Sequence, residues 1–146
     1  MLFTGDHILP EIAPHIGFHP QSGENPLGDY LNSLEQLLKL EVNFAFPGHG
    51  PSFSGVRQIG ENLIRHHERR KSAILKSLQE NMKSAYQVAL EIPWRSDIKP
   101  VSLESLSIFD QRLAIMETLA HIEFLCKEGT VQKIEQKSGI LYFAGG

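Results

Sequence analysis

The sequence has a single cysteine, no long apolar run and almost no basic residues in its first part. Cys126 alone cannot form an internal disulfide, and its apolar surroundings favour a packed thiol over a reactive one. No segment reaches the roughly 18 consecutive apolar residues of a membrane helix, and the first residues lack the basic start and apolar core of a signal peptide. We therefore expect a folded, cytoplasmic protein with no membrane segment.

The scarcity of positive charge is confined to one part of the chain. Residues 1 to 55 contain one basic residue, Lys39, against six acidic ones, whereas residues 56 to 146 contain thirteen basic and eleven acidic residues. An acidic, histidine-bearing segment suits a site that gathers cations. The nearly neutral remainder gives little of the electrostatic attraction on which nucleic-acid binding depends.

The hydrophobic pattern of residues 1 to 55 predicts a strand, a loop, a helix and a second strand. Residues 1 to 5 resemble the end of a buried strand, and the prolines of residues 8 to 26 predict an irregular loop of the kind that often lines a site. Asp29 is a suitable cap for a helix with leucines at helical spacing. The alternating apolar residues from 42 to 46 predict the second strand.

Residues 56 to 146 predict three helices followed by a β-hairpin, which is the order of a winged helix-turn-helix. The first helix is long and amphipathic, and Ser84 and Gln87 form a capping box for the second. The third helix covers about residues 108 to 127 and ends at Gly129, and residues 130 to 143 predict the hairpin. The predicted apolar face of the third helix consists of Leu113, Met116, Leu119, Ala120 and Phe124.

Two short motifs put a metal-capable side chain at the end of a predicted strand. They are Thr4-Gly5-Asp6 and Phe46-Pro47-Gly48-His49-Gly50-Pro51. A carboxylate can bridge two divalent cations and an imidazole supplies a nitrogen at ~2.0 to 2.1 Å, so Asp6 and His49 suit one binuclear centre. Considered alone, a Gly-Asp pair is common and a histidine between glycines also fits an ordinary turn, so the residues leave both interpretations open.

In their order along the chain these motifs resemble the metallo-β-lactamase superfamily of hydrolases, most closely its glyoxalase-II-like and lactamase-β-like branch. The family's Thr-Gly-Asp aspartate bridges two metals and its Pro-Gly-His-Gly histidine binds the second, which implies these roles for Asp6 and His49. The segments that carry the resemblance are residues 2 to 6, 25 to 31, 46 to 51, 66 to 70 and 117 to 125.

The resemblance implies an α+β fold class with three parts. Residues 1 to 55 would be the C-terminal portion of a metallo-β-lactamase αβ/βα sandwich, and residues 56 to 83 a linking helix. Residues 84 to 146 would be a mainly helical, winged-helix-like domain. The implied activity is hydrolysis of an ester, thioester, amide or phosphodiester bond at two zinc ions, which supply both nucleophile and Lewis acid.

The family's His-x-His-x-Asp-His motif does not occur in these 146 residues. Asp6 and His49 alone fall short of the three protein ligands of a catalytic zinc. We therefore expect weak or absent zinc binding and no hydrolysis by this chain alone, with the missing ligands on polypeptide upstream. No catalytic residue is assigned beyond the two metal ligands.

Three further histidines are candidates for supporting the metal ligands or contacting a substrate. His7 follows the bridging aspartate, where it either supports that residue or is an ordinary packed or solvated side chain. His15 and His19 lie on the proline-rich loop, which in the resembling family runs close to the substrate cleft. Substrate contact and a purely structural role are both open for these two, and the substrate can be a small molecule or a nucleic acid.

The alternative function is a non-catalytic winged-helix module that binds nucleic acid or mediates protein association. Four acidic residues outnumber Arg112 and Lys127 on the third helix, an acidic balance that repels phosphate where a recognition helix enters the groove. We therefore favour a scaffold role for residues 84 to 146. Half a sandwich leaves a sheet edge and an apolar face unpaired, so we expect a homo-oligomer or association with a missing N-terminal half.

Overall fold

The structure, a computed structural model, describes residues 1–94 and 99–145 and is a mixed α/β fold. Residues 95–98 and 146 of the predicted winged-helix-like domain lie outside the described residues. In chain order the elements are β1 (Leu2–Gly5), α1 (Pro26–Leu38), β2 (Ala45–Pro47), α2 (Val56–Glu80), α3 (Ala85–Glu91), a short 3₁₀ helix (Leu103–Ser105), α4 (Ile108–Glu128), β3 (Gln132–Gln136) and β4 (Gly139–Phe143).

The chain forms two compact units. Unit 1 comprises Met1–His15 and Gly28–Glu68, and unit 2 comprises Ile16–Leu27 and Arg69–Gly146. Across the described ranges, no helix has the length and apolarity needed to cross a membrane.

Unit 1 is built around a parallel pair of short strands. Leu2 of β1 lies opposite Ala45 of β2, Phe3 lies opposite Phe46, and an irregularity separates these pairs from the next, Gly5 with Pro47. Parallel strands end at the same edge of their sheet, so the segments that follow β1 and β2 emerge side by side. The buried apolar residues of this unit are Ile8, Leu9, Tyr30, Leu31, Leu34, Ala45, Phe53, Val56 and Leu63.

Two local predictions for unit 1 need correction. The first helix begins at Pro26, so Asp29 lies in its first turn and is not its cap. Proline fits the start of a helix because its missing N–H has no partner there in any case. The predicted strand over residues 42 to 46 is also wrong in extent, since β2 begins at Ala45. A strand extends only as far as it has a partner to pair with, and β1, the partner of β2, is only four residues long.

Unit 2 contains the principal apolar cluster, to which α3, α4 and the hairpin contribute. Ser84 and Gln87 form the predicted capping box of α3, and Gly129 ends α4 in the left-handed conformation. β3 and β4 pair in antiparallel register, as the sequence predicts. The buried members of the cluster are Ile74, Leu78, Ala85, Val88, Ala89, Ile92, Trp94, Leu103, Ala114, Ile122, Leu125, Val131 and Tyr142.

The predicted apolar face of α4 is confirmed at Ala120, which is buried, and at Leu119 and Phe124, which pack against the apolar cluster. The residues of α4 that are buried are Ala114, Thr118, Ala120, His121, Ile122 and Leu125. Leu113, Met116, Leu119 and Phe124 are only partly buried. This helix is apolar on most sides, so its sequence period does not select a face, and packing decides which residues are covered. Thr118 is accommodated because its hydroxyl donates to the carbonyl of Ala114, 2.9 Å away.

Candidate metal centre

Asp6 lies on a tight turn directly after β1. The backbone N–H of His7 donates to the carbonyl of Thr4 at 3.0 Å, which closes the turn, and the Thr4 hydroxyl donates to the carbonyl of Ile8 at 3.2 Å. Thr4 and Ile8 are buried, so the base of the turn is fixed in the core of unit 1. The Asp6 side chain remains 61% exposed, as a ligand-binding group requires.

His49 lies at the neighbouring strand end, on the loop that follows β2. The N–H of Gly48 donates to the carbonyl of Gly5 at 2.7 Å, which joins this loop to the turn after β1. Gly50 has a φ of +88°, a conformation that glycine adopts without steric cost. The two motifs thus meet at the carboxyl edge of the parallel pair, with their backbones hydrogen-bonded beside the metal-capable side chains.

The two predicted ligands are in direct contact. His49 Nδ1 lies 2.6 Å from Asp6 Oδ1. A carboxylate oxygen accepts hydrogen bonds, so in this contact the imidazole ring donates from Nδ1. Residues 43 positions apart in sequence therefore form one exposed polar pair, with opposite charges whenever the imidazole is protonated.

Gly48 is required by the close approach of the two motifs. A Cβ at this position would lie 2.6 Å from Asp6 Oδ1 and 3.2 Å from the carbonyl carbon of Gly5. The first distance is shorter than real Cβ contacts, so any other residue at position 48 would displace the Asp6 carboxylate. Gly48 is thus explained by the space that the Asp6 carboxylate occupies beside it.

The pair has the right donor types for a divalent cation but too few donors for a catalytic centre. Tetrahedral bonds of ~2.1 Å to one ion separate two donor atoms by about 3.4 Å. An ion bound to Asp6 Oδ1 and His49 Nδ1 would therefore take the place of their hydrogen bond and open the 2.6 Å contact by less than an ångström. Within residues 1–94 and 99–145, however, no group of three or more His, Cys, Asp or Glu side chains could hold a metal.

His7 packs beneath the turn, against α1. Its Nε2 lies 3.3 Å from the Ser33 hydroxyl oxygen, and its ring contacts the edge of the Tyr30 ring at a centroid distance of 5.0 Å. Burial lowers the pKa of His7 from its ordinary value. The contacts of His7 thus connect the Asp6 turn to α1.

The contact between Asp6 and His49 includes neither His15 nor His19. His15 ends the first segment of unit 1, whereas His19 belongs to unit 2, where its Nδ1 accepts a hydrogen bond from the backbone N–H of Gln21 at 3.3 Å. Both side chains are exposed. His19 thereby has a local role in a turn, and the substrate contacts suggested by the sequence stay predictions.

The sequence pattern identifies Tyr30 only as an apolar residue of a helix, and the structure gives it a further role. Its hydroxyl donates to the carbonyl of His7 at 3.0 Å, and burial raises its pKa to about 12. The sequence could have indicated that Tyr30 has a hydrogen-bond partner, because a buried tyrosine hydroxyl usually has one. The sequence could not indicate that this partner is the backbone next to Asp6.

Known proteins with similar sequences are β-lactamase-like proteins and metallo-hydrolases. No family model matches the chain. The "Beta-lactamase-like protein 2 homolog" of Caenorhabditis elegans is 27% identical over 136 residues, which is 90% of this chain and 39% of that protein. The "Probable metallo-hydrolase YqjP" of Bacillus subtilis is 30% identical over 76 residues, which is 50% of this chain and 24% of that protein.

A solved structure extends the similarity over nearly the whole chain. The crystal structure of a metallo-beta-lactamase family protein from Thermus thermophilus superposes with a TM-score of 0.79 and 32% sequence identity. The match covers 99% of this chain and 42% of the Thermus protein. The chain thus spans about two-fifths of the length of the C. elegans and Thermus proteins.

Proposed function

Because the chain belongs to the metallo-β-lactamase superfamily, in which it corresponds to the C-terminal half, we propose that it supplies the Asp6–His49 corner of a binuclear zinc centre. The observation that carries this proposal is the contact of 2.6 Å between Asp6 Oδ1 and His49 Nδ1 at the carboxyl edge of the parallel strands. Crevices outside the carboxyl ends of parallel strands are where ligands of such sheets bind.

In this proposal the two side chains have separate roles. Asp6 would be a carboxylate ligand shared by the two zinc ions, and His49 would be an imidazole ligand of one of them. When bound, zinc supplies a Lewis acid for hydrolysis of an ester, thioester or phosphodiester. The other ligands lie on polypeptide outside this sequence, so the 146-residue chain alone is inactive. No reaction step is assigned to its own residues.

For residues 84 to 146 we propose a winged-helix-like domain with a scaffold role. Lys83 forms an isolated antiparallel bridge with Tyr142 of β4, so the segment between α2 and α3 adds a short third strand to the hairpin. The end of α2 and Lys83, which directly precede residue 84, therefore give with α3, α4 and the hairpin the order helix, strand, helix, helix and hairpin of a winged helix. The acidic balance of α4 argues against nucleic-acid binding, and we propose that the domain supports association with a second copy or with the missing part of the enzyme.

The metal-ligand proposal is tested by zinc titration of the full chain followed by NMR. Asp6→Asn and His49→Gln should each weaken zinc binding by about tenfold or more, because each removes one of two donors. Asp29→Asn and His19→Gln are matched controls at exposed positions and should leave the affinity unchanged. Equal zinc affinity in wild type and in Asp6→Asn would refute the assignment of Asp6.

The hydrolase part of the proposal needs the remaining ligands. A chimaera in which this chain replaces the matched part of the Thermus protein would provide them. We expect it to hydrolyse at least one ester, thioester or phosphodiester reporter, and we expect Asp6→Asn in the chimaera to abolish that activity. A chimaera whose activity is unaffected by Asp6→Asn would rule out a catalytic metal at this position.

A further inference from the structure

We propose that Tyr30 is a positioning residue for the Asp6–His49 pair, because its hydroxyl holds the turn that presents Asp6. The inference rests on the proposed function, in which Asp6 is a metal ligand. Tyr30 is not itself a ligand in this proposal. It acts through the backbone of His7, to which its hydroxyl donates at 3.0 Å.

The backbone of the Asp6 turn accepts a hydrogen bond on each side of Asp6. On one side the carbonyl of Gly5 accepts from the N–H of Gly48 at 2.7 Å, and on the other the carbonyl of His7 accepts from the Tyr30 hydroxyl. The Asp6 side chain is 61% exposed, so packing contributes little to its position. The position of the carboxylate therefore depends on its hydrogen bond with His49 and on these flanking bonds, each of which fixes one neighbour of Asp6.

The Tyr30 side chain is buried in unit 1 and contacts two other rings. Tyr30 is 7% exposed, and its ring lies between those of His7, at a centroid distance of 5.0 Å, and His67 of α2, at 5.6 Å. On α1 it adjoins the buried Leu31. A donor fixed by a helix and by edge-to-face ring contacts positions its acceptor better than one on a mobile loop.

The hydroxyl is also permanently a donor under ordinary conditions. Burial raises the pKa of Tyr30 to about 12, so its phenol stays protonated throughout the neutral range. The His7 carbonyl has no proton to give, so the direction of this bond does not change with pH. The neighbouring contact between Ser33 and His7 Nε2, at 3.3 Å, supports the same turn through a side chain.

The test is amide hydrogen exchange of the full chain, read by NMR, in Tyr30→Phe. This change keeps the ring contacts and removes only the hydroxyl. We expect two backbone amides to exchange about three- to tenfold faster, which is the effect of losing one net hydrogen bond. They are the amide of His7, which closes the turn on Thr4, and the amide of Gly48. The His49 ring resonances should shift at the same time, which a loss of stability elsewhere would not produce.

Tyr142→Phe is the matched control. Tyr142 is 2% exposed in unit 2, so the control also removes the hydroxyl of a buried tyrosine. It should leave the exchange of the His7 and Gly48 amides and the His49 resonances unchanged. Equal exchange of these amides in Tyr30→Phe and wild type, or equal acceleration in both variants, would overturn the proposal.

Zinc titration separates this inference from the function on which it rests. We expect Tyr30→Phe to weaken zinc binding about three- to tenfold through Asp6. If Asp6→Asn does not change zinc affinity, the proposed function fails. The hydrogen-exchange rates of the His7 and Gly48 amides still test whether Tyr30 positions the turn. If Asp6→Asn weakens binding and Tyr30→Phe does not, the positioning role is wrong. Should Tyr30→Phe fold poorly, the hydroxyl proton of Tyr30 is observed directly by NMR in the wild-type chain, and a proton that exchanges as fast as that of free tyrosine would refute the hydrogen bond on which the positioning role rests.

Discussion

Gly48 shows how a single residue controls the geometry of the candidate centre. We expect Gly48→Ala to break the contact between Asp6 and His49, because the added Cβ would lie 2.6 Å from Asp6 Oδ1. The unfolding free energy should fall by only about 1 kcal/mol, since both side chains are exposed and such pairs contribute little. NMR of the His49 ring nitrogens reports the contact, and thermal unfolding reports the stability.

Gly50→Ala is the control for Gly48→Ala. Its Cβ would come no closer than 3.8 Å to Pro10, but the φ of +88° strains any residue with a side chain. The unfolding free energy of this variant should fall by about 1 kcal/mol through backbone strain. The NMR signals of the His49 ring nitrogens, which report the Asp6–His49 contact, should stay unchanged. If both alanine variants keep the wild-type signals of the His49 ring nitrogens, the steric explanation of Gly48 is incorrect.

At the level of secondary structure, the N-terminus of α4 depends on a serine cap. The N–H of Asp110 donates to the Ser107 hydroxyl at 3.1 Å. We expect Ser107→Ala to reduce the unfolding free energy by about 1 kcal/mol, the usual contribution of such a cap. Ser102 occupies the same position before the 3₁₀ helix without a side-chain cap bond, so Ser102→Ala should have almost no effect. Chemical denaturation distinguishes the two, and equal losses would contradict the cap assignment.

The junction of α2 and α3 is held by an ion pair inside unit 2. Lys83, 8% exposed, donates to Glu91 Oε2 at 2.8 Å and to the carbonyl of Ser77 at 2.6 Å. The hydrogen bond from Lys83 and then that from Ser77 lower the pKa of Glu91 below its ordinary value of 4.5. A carboxyl whose pKa is lower in the folded state stabilises the fold above the unfolded pKa, and this contribution is lost as the pH falls through the folded value.

This pair predicts a pH-dependent difference in stability. Glu91→Gln should lower the melting temperature at about pH 7, and the difference from wild type should shrink as the pH falls from about 4.5 to about 2. The effect should be small because the Glu91 side chain is 46% exposed. Thermal unfolding across this range measures it, with the exposed Glu104→Gln as control. A constant difference at every pH would exclude the ion pair as the cause.

At the scale of the whole molecule, β1 carries an exposed aromatic residue on a strand. Phe3 is 76% exposed and stacks on Phe46 of β2 at a centroid distance of 5.3 Å, and Phe44 is 42% exposed beside Phe46. Parallel sheets are ordinarily covered on both faces. This exposed surface is consistent with the association that we propose for the chain.

We expect Phe3→Ser to reduce concentration-dependent association of the chain, because it removes the most exposed aromatic ring beside the strand pair. Light scattering coupled to size-exclusion chromatography over a range of concentrations measures the change. Phe109→Ser is the matched control, since Phe109 is 69% exposed but lies at the start of α4. Unchanged association in Phe3→Ser, or the same reduction in both variants, would place any interface elsewhere.

The sequence by itself determined the features that depend on local chemistry. The capping box of Ser84 and Gln87, the end of α4 at Gly129 and the hairpin follow from neighbouring residues, and the structure confirms them. The Asp6 and His49 motifs were also visible, because glycine and proline mark the strand ends at which such residues lie. The resemblance to metallo-β-lactamases rested on these same local signals, and known relatives bear it out.

Tertiary structure alone decided which residues are covered and which meet. The buried side of α4 could not be read from a helix that is apolar on most sides, and the extent of β2 depended on the length of β1. The contact between Asp6 and His49, and the bond from Tyr30 that holds the turn, join positions far apart in the chain. Local propensity contains no information about such pairs, because their geometry is set by strand pairing and helix packing.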